Sequence, residues 1–466
     1  MARASFGTTS TATADPIESS KRTFVAAFAG SLLCYLAQPP LAWGWLAWIG
    51  PAPWLLLCRA QRMPGRRPYL VLWMAGTAYW FIAVYWMLLT YWANFLGFIP
   101  MSLYLGAYLP AFVALVRVAV HRFRVPPWLA GAVVWTGFEW LRAHLLTGFF
   151  MASLAHTQTK FPLVIQIADL AGEYAVTFLI VLVAGAIAAA LPLSWVSAPG
   201  SARGFPAPEI NDTLTPNSRP QNRRPTGGAT VLALLPAVLA LAGAAAYGAT
   251  ALTRNISLGD PTHRPRIAII QTDMKSDWKG TPERDIAAMR DQINLSTRTA
   301  RNAKLPVDLI VWPETMFRQP LFVRDEKNPP AAGAVHDSRY TAALSDLRSL
   351  AVDTGAALLV GIDRVFVSQA PPPAKPGEVD MRVYNAAIGV DRQGEVVGLY
   401  AKMHLLPFGE YIPLAWLPGL ASLVPITGNS VWGEHPAAFE IDGVVYAPNI
   451  CYESVLPHLI LSLIHI

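Results

Sequence analysis

Seven apolar stretches occupy the first 254 residues, centred on 23–38, 41–58, 69–92, 98–120, 127–147, 163–193 and 230–252. About 20 predominantly apolar residues cross a bilayer as a helix, and only structures that satisfy their own backbone hydrogen bonds survive in hydrocarbon. A chain with this many such runs in series is expected to fold as a polytopic α-helical membrane domain over 23–254. The first two runs, divided by Gln38-Pro39-Pro40, read as a tight hairpin, and the sixth is long enough to tilt or overhang. Charged residues make up 14% of the chain, where an average soluble domain carries about 25%. Residues 1–22 form a polar tail. The first apolar run leads directly into further spans, so a cleaved signal peptide is not expected.

The cations fix an orientation. Lys21 and Arg22 precede the first run, Arg59, Arg62, Arg66 and Arg67 follow the second, Arg117, Arg122 and Arg124 follow the fourth, and Arg203, Arg219, Arg223 and Arg224 follow the sixth. The intervening loops hold almost none, Lys160 being the exception. Basic loops stay in the cytoplasm, which places the N-terminus inside, the Pro-, Ser- and Asn-rich stretch 196–228 as a cytoplasmic linker, and everything after the seventh run outside. The net charge of +6 thereby has a topological origin, and a nucleic-acid partner loses its main support.

From residue 264 the pattern is that of a globular α/β domain. Strands are expected at 266–273, 307–315 and 356–365, helices at 281–304 and 338–355, and hairpins at 384–402 and 438–450. Thr281 and Pro282 mark the first helix start, with Ile286, Met289 and Ile293 at helical spacing, while Gly355 closes the second and Asp442-Gly443 turns the last hairpin. Alternating strands and helices followed by hairpins imply a mixed sheet covered by helices.

Three chemically complementary residues close three of these strands: Glu314, Lys402 and Cys451. Strand ends are where an α/β sheet gathers its pocket. A carboxylate can take a thiol proton, the thiolate can attack, and an ammonium can hold the resulting oxyanion. A helix beginning after Cys451 would add its dipole in favour of the thiolate. Each residue has an ordinary alternative: a cysteine after an apolar strand packs as a small hydrophobe, and lone charges sit in solvated loops. Against that, Cys451 is the one cysteine outside the membrane runs, on the oxidising side, since Cys34 and Cys58 lie within them.

The segments "VWPET", "YAKMHLLPFGEYIP" and "NICYES" resemble the three signatures of the nitrilase (carbon–nitrogen hydrolase) superfamily, in the same order and with similar separations. The resemblance implies an αββα sandwich in which Glu314 is the general base, Lys402 stabilises the oxyanion and Cys451 is the nucleophile. It also implies supporting roles for Glu410, Tyr452 and Glu453.

Seven spans ahead of such a domain resemble one branch, the apolipoprotein N-acyltransferases of the bacterial inner membrane. "WTGFEWLRAHLLTGF" at 135–149 and "MAGTAYWFIAVYWMLLTYW" are similar to that branch's membrane signatures, although Phe150-Met151 stands where Pro-Trp is usual. The branch implies a multi-pass inner-membrane enzyme with a periplasmic catalytic domain at 264–466. It would take an acyl chain from a phospholipid as a thioester and pass it to the N-terminal amine of a diacylglyceryl-cysteine lipoprotein. Its partners are the phospholipid donor, the apolipoprotein acceptor and membrane lipids, with no nucleic acid, metal or other cofactor. Glu139 and Arg142, three apart within the fifth run, cost roughly 2.5–3.5 kcal/mol each at a span centre and read as an ion pair or as membrane-side support. The alternatives are a membrane-anchored amidase or nitrilase acting on a small amide, and an inactive truncated copy. The chain stops soon after Cys451, at Ile466, where the family's sandwich continues, so the catalytic domain is expected to be incomplete at its C-terminus.

Overall fold

The computed structural model describes residues 16–89, 94–145, 148–196, 227–254, 264–273, 281–373, 375, 378–406, 409–412 and 430–464. The chain forms two units, Met1–Asn255 and Ile256–Ile466. Most of the polar tail and of the 196–228 linker lies outside the described residues.

The first unit is all helical. Its elements are α1 (Pro16–Ala37), α2 (Ala52–Arg59), α3 (Pro68–Ala83), α4 (Phe95–Gly106), α5 (Tyr108–Arg122), α6 (Pro127–His144), α7 (Pro162–Ile165), α8 (Ala168–Ala171), α9 (Glu173–Ala190) and α10 (Gly227–Thr253). Among the described residues three helical runs are long and apolar enough to cross a membrane: Phe95–Arg122, which joins α4 and α5, Glu173–Ala190, and Thr230–Thr253. Two expected spans are built differently from a single helix. Residues 41–58 form a 3-10 turn, Gly44–Trp48, and the short α2. The sixth run breaks into α7, α8 and α9, with Gly172 at φ 62° supplying the left-handed residue before α9.

Small residues bring these helices together. A Cβ on Gly76 of α3 would lie 2.6 Å from the Gly106 carbonyl oxygen of α4, so the two backbones touch. Arginines that flank the apolar runs serve helix ends. Arg59 Nη1 donates to the carbonyls of Ala188 and, at 2.7 Å, Leu191, where α9 ends, and Arg22 Nη1 reaches Ser194 O at 3.2 Å. Arg117 donates from Nη1 to the carbonyls of Leu57 and Ala60, and from Nη2 to Gln61 O at 2.9 Å. Cations favour the negative C-terminal ends of helices, so these residues stabilise local structure.

The second unit is a mixed α/β domain. Its strands are β1 (Ile267–Ile269), β2 (Leu309–Val311), β3 (Phe317–Arg324), β4 (Ala357–Gln369), β5 (Val379–Val390), β6 (Val396–Ala401), β7 (Phe439–Ile441) and β8 (Val444–Tyr446), and its helices α11 (Pro282–Asn302), α12 (Ser338–Thr354) and α13 (Pro457–Ile464). The main sheet runs β1-β2-β4-β5-β6, with β3 pairing the far half of β4. β1, β2 and β3 run parallel to their neighbours, while β5 and β6 are antiparallel.

One face of the sheet packs Ile310, Leu358 and Ile388 against Ala343, Leu347 and Leu350 of α12, with Met289 and Ile293 of α11 alongside. On the other face the β7–β8 hairpin lays Ile441 on Leu309 and Ala357, and Phe439 on Ala387 and Tyr400. The hairpin turns at Asp442 (φ 51°) and Gly443 (φ 77°), the paired left-handed residues that a two-residue connection needs. The strand ends thus converge where β2, β6 and the segment after β8 leave their sheets.

Candidate active site

Glu314 lies three residues beyond β2, in a turn that passes through Thr315 at φ 49°. That turn sits against the middle of β4, where Gly361 makes room: a Cβ there would be 2.4 Å from Pro313 O and 2.7 Å from Glu314 Cα. Lys402 follows β6 directly. Its N–H donates to Asn385 O at 2.8 Å, and its carbonyl accepts from Gly433 N at 2.8 Å. Both backbone groups are therefore held while the side chain, 1% exposed, turns inward.

The Lys402 ammonium lies between two carboxylates, 3.1 Å from Glu314 Oε1 and 2.9 Å from Glu410 Oε2. Burial works against its charge, but Glu314 and Glu410 outweigh that and raise its pKa above the usual lysine value. Glu410 is fixed in turn by the Leu406 N–H at 2.8 Å.

Asn385, which the sequence analysis did not single out, completes the arrangement from β5. Its Nδ2 donates to Glu314 Oε1 at 2.6 Å and to Glu410 Oε1 at 2.8 Å. A single asparagine in "VYNAAIGV" has no spacing signal. The only sequence cue is a polar side chain in a strand otherwise buried at this end. Asp363 pairs with it across the sheet, and burial raises that carboxyl's pKa, Arg318 opposing and Glu314 and Glu410 adding to the rise.

Cys451 is exposed and has φ 54°, a left-handed conformation that a non-glycine residue adopts at some cost. It opens a five-residue 3-10 turn, Cys451–Val455, and the next helix, α13, begins only at Pro457, so the condition for a helix dipole at the thiol is not met. Burial raises the thiol pKa, the Glu314 charge adds to the rise, Lys402 opposes it, and a hydrogen bond to Glu314 raises it again. The surroundings of the resting thiol therefore disfavour its ionisation.

Glu453 holds this sharp corner. It is 0% exposed, and its carboxylate accepts from Tyr400 OH (2.7 Å), Met403 N (2.7 Å), His404 N (3.1 Å) and Ile450 N (2.9 Å). Burial works against its charge, but the neighbouring His404 side chain, the Tyr400 hydroxyl and the Ile450 and Met403 N–H groups prevail and lower its pKa. They also tie the segment before Cys451 to the one after Lys402. Tyr452 is buried beside it.

The structure does not pair Glu139 with Arg142. Both are buried in α6, but Glu139 accepts from Trp135 Nε1, Leu154 N, Ser153 Oγ and Thr177 Oγ1. The Arg142 guanidinium lies over the Trp80 ring, 4.8 Å from its centre. Among the described residues no group of three or more His, Cys, Asp or Glu is arranged to hold a metal ion.

Comparison with known proteins covers both units. Residues 30–186 match the apolipoprotein N-acyltransferase N-terminal domain, and residues 266–464 match the carbon-nitrogen hydrolase family. The apolipoprotein N-acyltransferase of Rhodopirellula baltica is 28% identical over 470 residues, covering 94% of this chain and 77% of that protein. The enzyme of the same name from Geobacter metallireducens is 29% identical over 450 residues, covering 94% and 74%. Among solved structures, an amidase from Nesterenkonia sp. aligns with a TM-score of 0.24 at 20% identity, over 41% of this chain and 56% of that one, a likeness too slight to build on. With residues 30–186 matching the N-terminal domain of these acyltransferases, residues 266–464 matching the carbon-nitrogen hydrolase family, and relatives of the same name aligned across both, the chain belongs to the apolipoprotein N-acyltransferases.

Proposed function

We propose that the chain moves an acyl chain from a phospholipid to the N-terminal amine of a diacylglyceryl-cysteine lipoprotein, through a thioester on Cys451. The observation that carries this reading is the buried Lys402 ammonium clamped by Glu314 and Glu410, with the Glu314 charge also acting on the Cys451 thiol. Glu314 takes the S–H proton as Cys451 Sγ attacks the ester carbonyl carbon. The developing oxyanion faces Lys402, whose charge is kept by its two carboxylates. As the C–O bond breaks, Glu314 returns the proton to the leaving lysophospholipid alkoxide, and the acyl group stays on sulfur. In the second half the lipoprotein amine attacks the thioester carbonyl, the C–S bond breaks, and the amine's proton passes through Glu314 back to sulfur. Glu410 and Asn385 hold Glu314 and Lys402 in register, and Glu453 with Tyr452 holds the Cys451 corner.

The setting we propose is a multi-pass protein of the bacterial inner membrane with about seven spans over 23–254, residues 196–228 cytoplasmic and 264–466 periplasmic. Support comes from the basic loops and from Arg22 and Arg59, which bring the start of α1 and the end of α2 to the end of α9. A membrane-impermeant thiol reagent applied to spheroplasts of a Cys451→Ala, Lys327→Cys protein should label the added cysteine without lysis. Labelling only after lysis would reverse the topology.

Intact-mass measurement after incubation with phospholipid tests the chemistry. A mass increase of one acyl chain, absent from Cys451→Ala and discharged by a lipopeptide amine, is expected. Hydrolysis of small amides with no acyl adduct would overturn the reading.

A further inference from the structure

The helical unit contains a cavity of about 50 Å³, lined in part by Trp54, Tyr79, Trp80, Trp135, Glu139 and Arg142. Roughly 10–15 Å³ of such space holds one water, so the cavity admits several oxygen-sized groups. Its two charged residues are in opposite conditions. Glu139 has both carboxylate oxygens occupied, Oε1 by Trp135 and Leu154 and Oε2 by Ser153 and Thr177. Arg142 is 5% exposed, and its Nε and Nη2 have no hydrogen-bond partner among the described residues.

Those two nitrogens form the side edge of the guanidinium, the edge whose parallel N–H bonds match the two oxygens of a carboxylate or phosphate. Leaving that edge buried and empty is costly, since an unpaired buried polar group loses its hydration without return. The face of the same guanidinium is already placed on Trp80, which fixes the plane of the fork. The aromatic rings around it offer an apolar wall for whatever is attached to the anion.

We infer that this cavity is a phosphate-recognition site for a lipid headgroup, the phosphodiester seated on the Nε–Nη2 edge of Arg142 with the adjoining glyceryl portion against the aromatic wall. The choice of phosphate over carboxylate rests on the phospholipid-dependent reading above; the presence of an oxyanion site does not. Glu139 is a positioning residue here, since it ties α6 to the 153–154 segment and α9, and so sets the depth of Arg142.

The test uses the full chain carrying Cys451→Ala in dodecyl maltoside, so that no acyl transfer accompanies binding. Thermal stability is followed during titration with dihexanoyl phosphatidylglycerol, with dihexanoylglycerol, and with inorganic phosphate. Saturable stabilisation by the phospholipid is expected, at least tenfold weaker affinity in Arg142→Gln, and an intermediate value in Arg142→Lys, which keeps the charge but not the fork. Equal binding of the phosphate-free diglyceride, or unchanged affinity in Arg142→Gln, overturns the inference. Saturation by inorganic phosphate at the same affinity assigns the site to free phosphate and overturns the headgroup part. The ligand series varies no residue, so it decides even where Arg142→Gln does not fold. Loss of binding selectivity with thioester formation on Cys451 intact would sink this site alone, and the reverse outcome would sink the transferase reading alone.

Discussion

Gly361 of β4 and Glu314 are in backbone contact: a methyl group on Gly361 would stand 2.7 Å from Glu314 Cα. The turn bearing the proposed base is therefore seated directly on the neighbouring strand, with no side chain between them. Gly361→Ala should push that turn outward, destabilising the domain by roughly 1–3 kcal/mol and, through misplacement of Glu314, lowering kcat about 10²-fold. Steady-state acyl transfer together with a melting curve checks this. A variant that is destabilised but has unchanged kcat would show that the turn relaxes without moving the carboxylate.

Asn385 is the sole uncharged group bridging Glu314 and Glu410 among the described contacts. Asn385→Ala should lower kcat by about tenfold or more by loosening both carboxylates around Lys402. Asn385→Asp should be worse in both rate and melting temperature, because it sets a third carboxylate against the two. Wild-type kinetics in the aspartate variant would remove Asn385 from the arrangement.

The parts of this site that the sequence displayed are those fixed by strand ends. Glu314, Lys402 and Cys451 each follow an apolar run short enough to be a strand, and the chemistry of acid, base and thiol is recognisable from residue type. Asn385 and Gly361 were hidden because their roles depend on which strands are neighbours, and pairing of β4 with β5 is not written in either strand alone. β3 was not anticipated either: Arg318 and Pro320 interrupt its alternation, and it pairs only along the far half of β4. In α11 the helix was legible from Pro282 onward, but the buried line runs through Ala288, Gln292 and Ser296, leaving Ile286 exposed. The Trp312 indole donates to Ser296 at 2.9 Å, which explains a buried serine that hydrophobic periodicity cannot anticipate. In the membrane half, length alone marked the apolar runs. The breaks at 41–58 and 163–193 depend on prolines and glycines whose local effect a hydropathy count averages away.

Asp308 supports a pH prediction for the domain's stability. Burial works against its charge, but hydrogen bonds from Arg266 and Arg392 prevail and lower its pKa from 3.8 to about 2. A depressed carboxylate stabilises the fold above its unfolded pKa and loses that contribution as pH falls towards the folded value. Asp308→Asn should therefore cost roughly 2 kcal/mol near neutral pH and progressively less between about pH 4 and pH 2. Melting curves of the two proteins at several pH values in that window test the sign. A gap that stays constant down to pH 2 would assign the effect to lost packing.

Glu314 acts on the Cys451 thiol in two ways that one substitution separates. After burial, its charge and its hydrogen bond are what raise the thiol pKa, with Lys402 working in the opposite direction. Glu314→Gln removes the charge, so the thiol should ionise at lower pH than in the wild type, and alkylation by iodoacetamide at pH 8–9 should become faster. The same variant has lost the proposed proton acceptor for attack on an ester and donor for the leaving alkoxide. Its acyl transfer should fall by about 10²–10⁴-fold, the range of a general acid–base contribution. Lys402→Met should move the thiol the other way, with slower alkylation and no acyl transfer, because the charge that opposes the rise is gone. Parallel pH profiles of alkylation and acyl transfer on the three proteins measure both effects. Slower alkylation in Glu314→Gln than in wild type would mean that the carboxylate activates the resting thiol directly, contrary to the electrostatics of the site.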